Sequence, residues 1–500
     1  MRIILIEPPI SRPKDETVGI AAEVPMALVS LAATLLKRNH EVHIIDAFAE
    51  GYFERTIRDK NSMYIGLTFE DILQRILNFR ADIVGISSIF FFNAPVVVEL
   101  ANFLKERCPN LQIILGGIVP GVLYQKIMKE KGVDFIVRGE GDHILPDLAE
   151  NIKNPAKVHG IIWRKGAKII INEDVPLPED LDQLPFPARE LSDLDLYIKL
   201  DKPFGFVKER KRFTTILTSR GCPFSCAFCS AHLVHGKKIR YRSPENVLME
   251  IDELVQNYGI NEVHIIDENF SLDKSRAMKI MNGLIMRGYN KFLSWTCPNG
   301  LFVKSLDEEV IDKMQESNCI SVALAVESGN HDVCKNMVRK PVDHKQVERV
   351  VRYFKEHTDI LLCGYFIIGF PGETKKQVIE TFNFANKLQM HNATISILMP
   401  YPFTDIYNIA LRDGYLILDE TDEYFSNLMP KHGVIKTNEF DPSWLKAIQE
   451  TDRFLALLKK KKKTFWRLCW ELIFRVHWML PRVAVMIIYH AIKGDISGKK

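Results

Sequence analysis

An excess of charge of either sign is the first thing this sequence lacks. Its formal charge of +3 over 500 residues is small, so the concentrated positive face of a nucleic-acid-binding protein is not expected. Cysteine is absent from residues 1–107, and six of the nine cysteines (Cys108, Cys297, Cys319, Cys334, Cys363 and Cys469) are scattered. That scatter does not fit the regular disulfide framework of a small secreted domain. The opening Met1-Arg-Ile-Ile-Leu-Ile-Glu-Pro-Pro holds an apolar run too short for a signal peptide, and a reducing, cytoplasmic compartment is expected. What is present is the balance of a folded protein, 47% hydrophobic and 26% charged, at a length that predicts two to four domains.

Residues 1–150 alternate short β-branched runs (3–6, 42–45, 83–86, 113–115 and 135–137) with helix-length amphipathic stretches such as 26–37 and 96–107. This βαβ rhythm predicts a doubly wound parallel sheet, whose ligands bind beyond the carboxyl ends of the strands. Those ends carry small or polar residues: Pro8-Pro9, Asp46, Ser87-Ser88, Gly116-Gly117 and Gly139-Glu140-Gly141. Residues 151–205, with a hairpin-like stretch at 161–171 followed by Pro176, Pro178, Pro185 and Pro187, read as a linker. A second βα series fills 206–415, with strands near 214–218, 263–267, 294–296, 321–326, 361–368 and 394–399. Six such units predict a partly closed barrel with its chemistry at the strand carboxyl ends.

From 416 to 500 the rhythm stops and a helical extension is expected. Five lysines at 459–463 precede an aromatic and aliphatic stretch in which Arg467, Glu471 and Arg475 share one helical face. Those charges and Arg482 argue against a membrane span. Residues 459–492 suit peripheral contact with an anionic membrane, or a helix packed on the second domain.

The chemistry concentrates in Thr218-Ser-Arg-Gly-Cys222-Pro-Phe-Ser-Cys226-Ala-Phe-Cys229, which follows the first barrel strand. Three thiolates at this spacing can hold an iron–sulfur cluster and leave one iron open to a chelating small molecule. A zinc site completed by His232 is the alternative. Glu268 and Glu327 stand at strand ends, where carboxylates can accept from an amine or ribose hydroxyls.

The cysteine loop, with Phe228 before its last cysteine, resembles the cluster motif of the radical S-adenosylmethionine (SAM) superfamily. Asp267-Glu268-Asn269-Phe270, Ala325-Val326-Glu327-Ser328-Gly329 and Gly369-Phe370-Pro371-Gly372-Glu373-Thr374 follow in the family's order. The resemblance implies a [4Fe–4S] cluster on Cys222, Cys226 and Cys229, with Phe228, Glu268, Glu327, Ser328, Gly329 and Gly369 around SAM. Residues 1–150 are similar to the flavodoxin-like, cobalamin-binding domain that precedes the barrel in one class of these enzymes. Ser87, Ser88, Gly116, Gly117 and Glu140 are the candidate cobalamin residues, and Asp182-Gln-Leu-Pro-Phe-Pro-Ala-Arg resembles that class's interdomain signature. Where related cobalamin domains carry a cobalt-ligating histidine in a DxHxxG motif, Asp46-Ala-Phe48-Ala-Glu-Gly51 has phenylalanine. A phenyl ring has no lone pair for a metal, so cobalt's lower ligand is left open.

The class implies an enzyme that cleaves SAM with an electron from a donor such as a flavodoxin or ferredoxin. It then methylates an unactivated carbon of a small molecule or lipid through cobalamin. A cobalamin-linked cyclase, oxidase or carbon–carbon coupling enzyme is the alternative, separable by product mass. A non-catalytic cobalamin or cluster sensor is the other, separable by 5′-deoxyadenosine release. The methylthiotransferase branch is disfavoured, because its amino-terminal domain carries a second cysteine trio.

Overall fold

The computed structural model describes residues 1–14, 21–60, 62–205, 211–417 and 433–461. Strands β1 (Arg2–Glu7), β3 (Glu41–Asp46), β6 (Ile83–Ser87), β7 (Gln112–Gly116) and β8 (Phe135–Val137) run parallel, in the order β8-β7-β6-β1-β3. Every residue of β6 is buried. Val84 and Ile86 feed one apolar cluster and Ile83 the other, as a sheet covered on both faces requires. The helix Met26–Lys37 spans the predicted residues and buries Leu28, Val29, Ala32 and Leu35. A small antiparallel sheet of β2 (Ile10–Pro13), β4 (Arg55–Ile57) and β5 (Ser62–Ile65) lies beside the main one.

The expected linker begins later than position 151. The strands β9 (Ile161–Lys165) and β10 (Lys168–Ile171) form a hairpin, and β9 pairs antiparallel with β8, extending the first sheet to seven strands. Ile161 and Ile162 are buried there, so the hairpin's apolar residues complete a core and do not bridge two cores.

The crossing segment follows, and its polar residues anchor it to the second unit. Asp182 accepts from Ser243 N at 2.9 Å. Phe186 lies under the Arg242 guanidinium. Arg189, 1% exposed, donates to Thr215 O at 2.8 Å and pairs with buried Glu250 at 2.6 Å. Arg242 also pairs with Glu250, so one buried carboxylate carries two guanidinium groups.

That second unit is a six-stranded parallel sheet ordered β11 (Phe213–Ile216), β14 (Glu262–Ile265), β15 (Ser294–Leu301), β16 (Cys319–Glu327), β17 (Leu361–Ile368) and β18 (Asn392–Ile397). Its end strands β11 and β18 do not pair, so the barrel is partial. Helices alternate with the strands and begin at side-chain caps, among them Ser243 and Asp307. The helix Pro442–Lys461 packs on β18, where Gln449 Nε2 donates to Ile395 O at 2.6 Å and Leu445 is buried. Of the anticipated basic tail at 459–492, residues 462–492 lie outside the described residues. Among the described residues no helix is long and apolar enough to cross a membrane.

Candidate functional site

The cysteine loop leaves β11 under tight control. Asp267, just past β14, accepts from Thr218 N at 2.6 Å and from the hydroxyls of Thr218 and Ser219. The short strands β12 (Ser219–Arg220) and β13 (Arg240–Tyr241) then pair and close the loop's base. Gly221 has φ +94, and a Cβ there would sit 2.4 Å from Lys238 O, so only glycine fits before the first cysteine. Farther on, Ala227 N donates to Val338 O and Ala227 O accepts from Ile406 N, both at 3.0 Å. The loop is thus fastened to the segments after β16 and β18.

Cys222, Cys226 and Cys229 are partly buried and unbridged. Burial pushes all three thiols up; Cys226 reaches about 12, with Lys340 opposing and Glu327 and the neighbouring thiols adding to the rise. Thiols in this state need a cation to become thiolates, which an iron–sulfur centre supplies. As the side chains stand, no three His, Cys, Asp or Glu groups among the described residues are gathered for an ion. His232 lies in the short helix His232–His235 and lines the cavity described below.

The residues anticipated around SAM fall into two groups. Glu268 keeps one carboxylate oxygen buried without a hydrogen-bond partner, while its other oxygen lies 3.9 Å from His235 Nε2. Burial raises its pKa, His235 opposes the rise, and Asp267 and Glu140 add to it. An orphaned acceptor beside a thiol trio fits an amine or hydroxyl donor. Glu327 follows a register shift at the end of β16 and holds φ +67, which aims its carboxylate at buried Lys340, 2.7 Å away. Phe228 sits edge-on to Phe370, ring centres 6.3 Å apart.

The others are tied into the elements around them. Ser328 Oγ lies 3.0 Å from Thr381 Oγ1, and a Cβ at Gly329 would meet Glu380 O at 2.7 Å; both positions pack against the helix Lys375–Leu388. Gly369 N donates to buried Glu373, which burial lifts to about 7 and which also accepts from Phe370 N.

At the carboxyl ends of the first sheet, Ser88 N donates to Gly116 O at 2.8 Å, and Ser88 Oγ is buried without a partner. Gly117 has φ +99, and a Cβ there would lie 2.6 Å from Ser88 O. At Gly116 and Gly121 a Cβ would meet nothing within 4 Å. Gly117 and Gly121 border a cavity of about 380 Å³ whose lining also includes His143, His232, Leu233 and Phe403, drawn from both units. Open glycines and an orphaned hydroxyl fit a large ligand laid over the strand ends. Ser87 lies just below and is hydrogen-bonded to Glu7, which burial raises to about 8. Asp46, raised by burial to about 6, caps the turn Ala47–Glu50 and accepts from Tyr197 OH at 2.7 Å. Phe48 is buried and packs on Tyr52, a core role that explains a phenyl ring there.

Glu140 occupies the seam between the units. Arg240 and Arg220 donate to it, and His235 Nδ1 lies 2.8 Å away. Burial alone would raise its pKa, but Arg240, His235 and Arg220 outweigh that and hold it well below the usual carboxylate range. Arg220 also grips Asp142, at 2.6 and 3.1 Å. Glu140 therefore spends its acceptors on the seam. Arg220, His235, Arg240, Asp142 and Lys340 were not singled out from the sequence, although Arg220 stands two residues before Cys222.

The chain matches the radical SAM superfamily over residues 216–385 and the B12 binding domain over residues 22–149. It is 32% identical to an uncharacterized methyltransferase of Pyrococcus horikoshii over 83% of this chain and 84% of that one. It is 28% identical to cytidylyl-2-hydroxyethylphosphonate methyltransferase of Streptomyces wedmorensis over 82% of each. An anaerobic magnesium-protoporphyrin IX monomethyl ester cyclase of Synechocystis is 26% identical over 94% of this chain and 88% of its own. The solved radical SAM methyltransferase TsrM of Kitasatospora setae shares the fold, with TM-score 0.65 and 19% identity, over 83% of this chain and 76% of its own.

Proposed function

This chain belongs to the cobalamin-binding radical SAM family of methyltransferase-like enzymes, and from that premise we propose that it methylates an unactivated carbon of a small molecule. Its cofactors are a [4Fe–4S] cluster, SAM and cobalamin; when bound, they supply a hydrogen-abstracting carbon radical and a methyl carrier. Cys222, Cys226 and Cys229 are the cluster ligands in this reading, with Glu268 and Glu327 receiving donors of SAM. Ser88, Gly116 and Gly117 cradle cobalamin.

One observation carries the reading. Arg220, two residues before Cys222, reaches Glu140 and Asp142 just past β8 and so sets the thiol loop beside the glycine-bordered strand ends. The chain's own contribution is then to hold the cluster-bound SAM and the cobalamin in fixed places and exclude water between them.

Anaerobically purified protein should contain iron, sulfide and cobalt, and with a reductant it should release 5′-deoxyadenosine from SAM. Cys222→Ala, Cys226→Ala or Cys229→Ala should lose iron, sulfide and cleavage together; retained cleavage would overturn the assignment. The alignment with the Synechocystis cyclase favours a second reading, ring closure without methyl transfer. Product mass separates the two, since only methylation adds a methyl group per turnover. A flavodoxin or ferredoxin as electron donor, a cytoplasmic location and membrane contact through 459–492 complete the proposal. Unchanged vesicle partitioning after deletion of those residues would remove the last.

A further inference from the structure

The loop joining β18 to the helix Asp405–Arg412 contains the turn Tyr401-Pro402-Phe403-Thr404. Thr404 N donates to Tyr401 O at 3.1 Å and closes it. Proline at the second position and a positive φ at the third define a type II turn, whose third position is normally glycine or asparagine. Here it is Phe403, at φ +67. A left-handed backbone is unfavourable for a bulky side chain. The surroundings leave little alternative: Thr404 caps the following helix through Tyr407 N, Tyr401 stacks on Phe91 of the first sheet's unit, and Ile406 N is held by Ala227 in the cysteine loop. The ring placed by this strained turn is 60% exposed and lines the cavity between the two units.

A strained residue whose apolar side chain is left in the open gains its compensation from something that covers the ring. We infer that Phe403 is a ligand-binding residue whose ring packs against cobalamin in this cavity, a contact that rests on the reading of the cavity given above. The rest of the cavity lining agrees, since Gly121 leaves open space and Leu233, 36% exposed, adds a second apolar group.

The test uses the full-length, anaerobically prepared chain titrated with hydroxocobalamin and followed by absorbance, alongside thermal melting without cobalamin. Phe403→Gly removes the ring and relieves the turn together. It should raise the melting temperature of the cobalamin-free protein while weakening cobalamin binding about tenfold, the loss expected for one buried apolar side chain. Phe403→Tyr should bind nearly as the parent does. Equal affinity of the parent and Phe403→Gly would overturn this inference alone. A weakened substrate KM with unchanged cobalamin affinity would also overturn it, by assigning the ring to substrate. A parent chain that takes up no cobalamin would overturn both this inference and the reading of the cavity.

Discussion

Arg220→Met is the most informative single change at the seam. Its guanidinium is shared by Glu140 and Asp142, and the three side chains are 11%, 2% and 7% exposed. Removing one partner of a buried ion pair costs about 3–5 kcal/mol, because the remaining charge keeps its desolvation penalty without its counter-ion. Glu140 retains Arg240 and His235, whereas Asp142 loses the group that held both its oxygens. The lower end, about 3 kcal/mol, is therefore expected. For a cooperative unit of 150–250 residues that corresponds to a fall of about 6–12 °C in melting temperature. The assay is anaerobic calorimetry of the parent, Arg220→Met, Asp142→Asn and the double variant. A coupling energy of roughly 1.5–3 kcal/mol is expected between two groups in direct contact. Loss of less than about 1 kcal/mol in Arg220→Met, with additive behaviour in the double variant, would refute the claim that this pair holds the seam. With the cysteines untouched, Arg220→Met should still release 5′-deoxyadenosine, but with less product per cleavage.

Two further changes probe separate layers. His264 is fully buried between Glu23 at 2.8 Å and Glu262 at 2.9 Å. Burial alone would lower its pKa, but the two carboxylates outweigh that and raise it from 6.5 to about 9. Its stabilising contribution is therefore complete below 6.5 and lost as pH rises through 9, so thermal melting should fall across that window and His264→Gln should flatten the decline. An equal slope in the variant would exclude His264 as its source. Glu268→Gln should leave iron and sulfide content unchanged while weakening SAM binding about 10–100-fold, the worth of a hydrogen bond to a charged group. Unchanged affinity in a calorimetric titration would remove Glu268 from the SAM site.

The architecture was legible because local signals agreed with one another. Strand β17 (Leu361–Ile368) was read to the residue from its apolar run, since glycine and proline follow it directly. The β9–β10 hairpin was also visible, but its attachment to β8 depends on edge pairing that no local pattern encodes. The same limit hid the seam. Arg220 and Arg240 reach Glu140 across 80 and 100 residues of chain, and a turn reading Gly-Glu-Gly says nothing about which cations will find it. Ser328 and Gly329 were read as ligand contacts from a strand-end motif, and the motif did not show that they also seat a neighbouring helix. Phe403 had a signal that passed unused: Tyr-Pro-Phe-Thr is a type II turn sequence with the wrong residue at its third position.

The anchoring of the crossing segment also bears on how such proteins can be recombined. Arg189, Phe186 and Asp182 precede the barrel in sequence, yet their counterparts Glu250, Arg242 and Ser243 lie inside it. A chimaera cut anywhere between 190 and 240 would separate each plug from its socket, burying Glu250 beside a stranger's side chain. A cut upstream of Asp182 keeps these three pairs together, but a grafted cobalamin module must then supply its own partners for Tyr197, which bonds Asp46 here, and for Arg220 and Arg240, which reach Glu140.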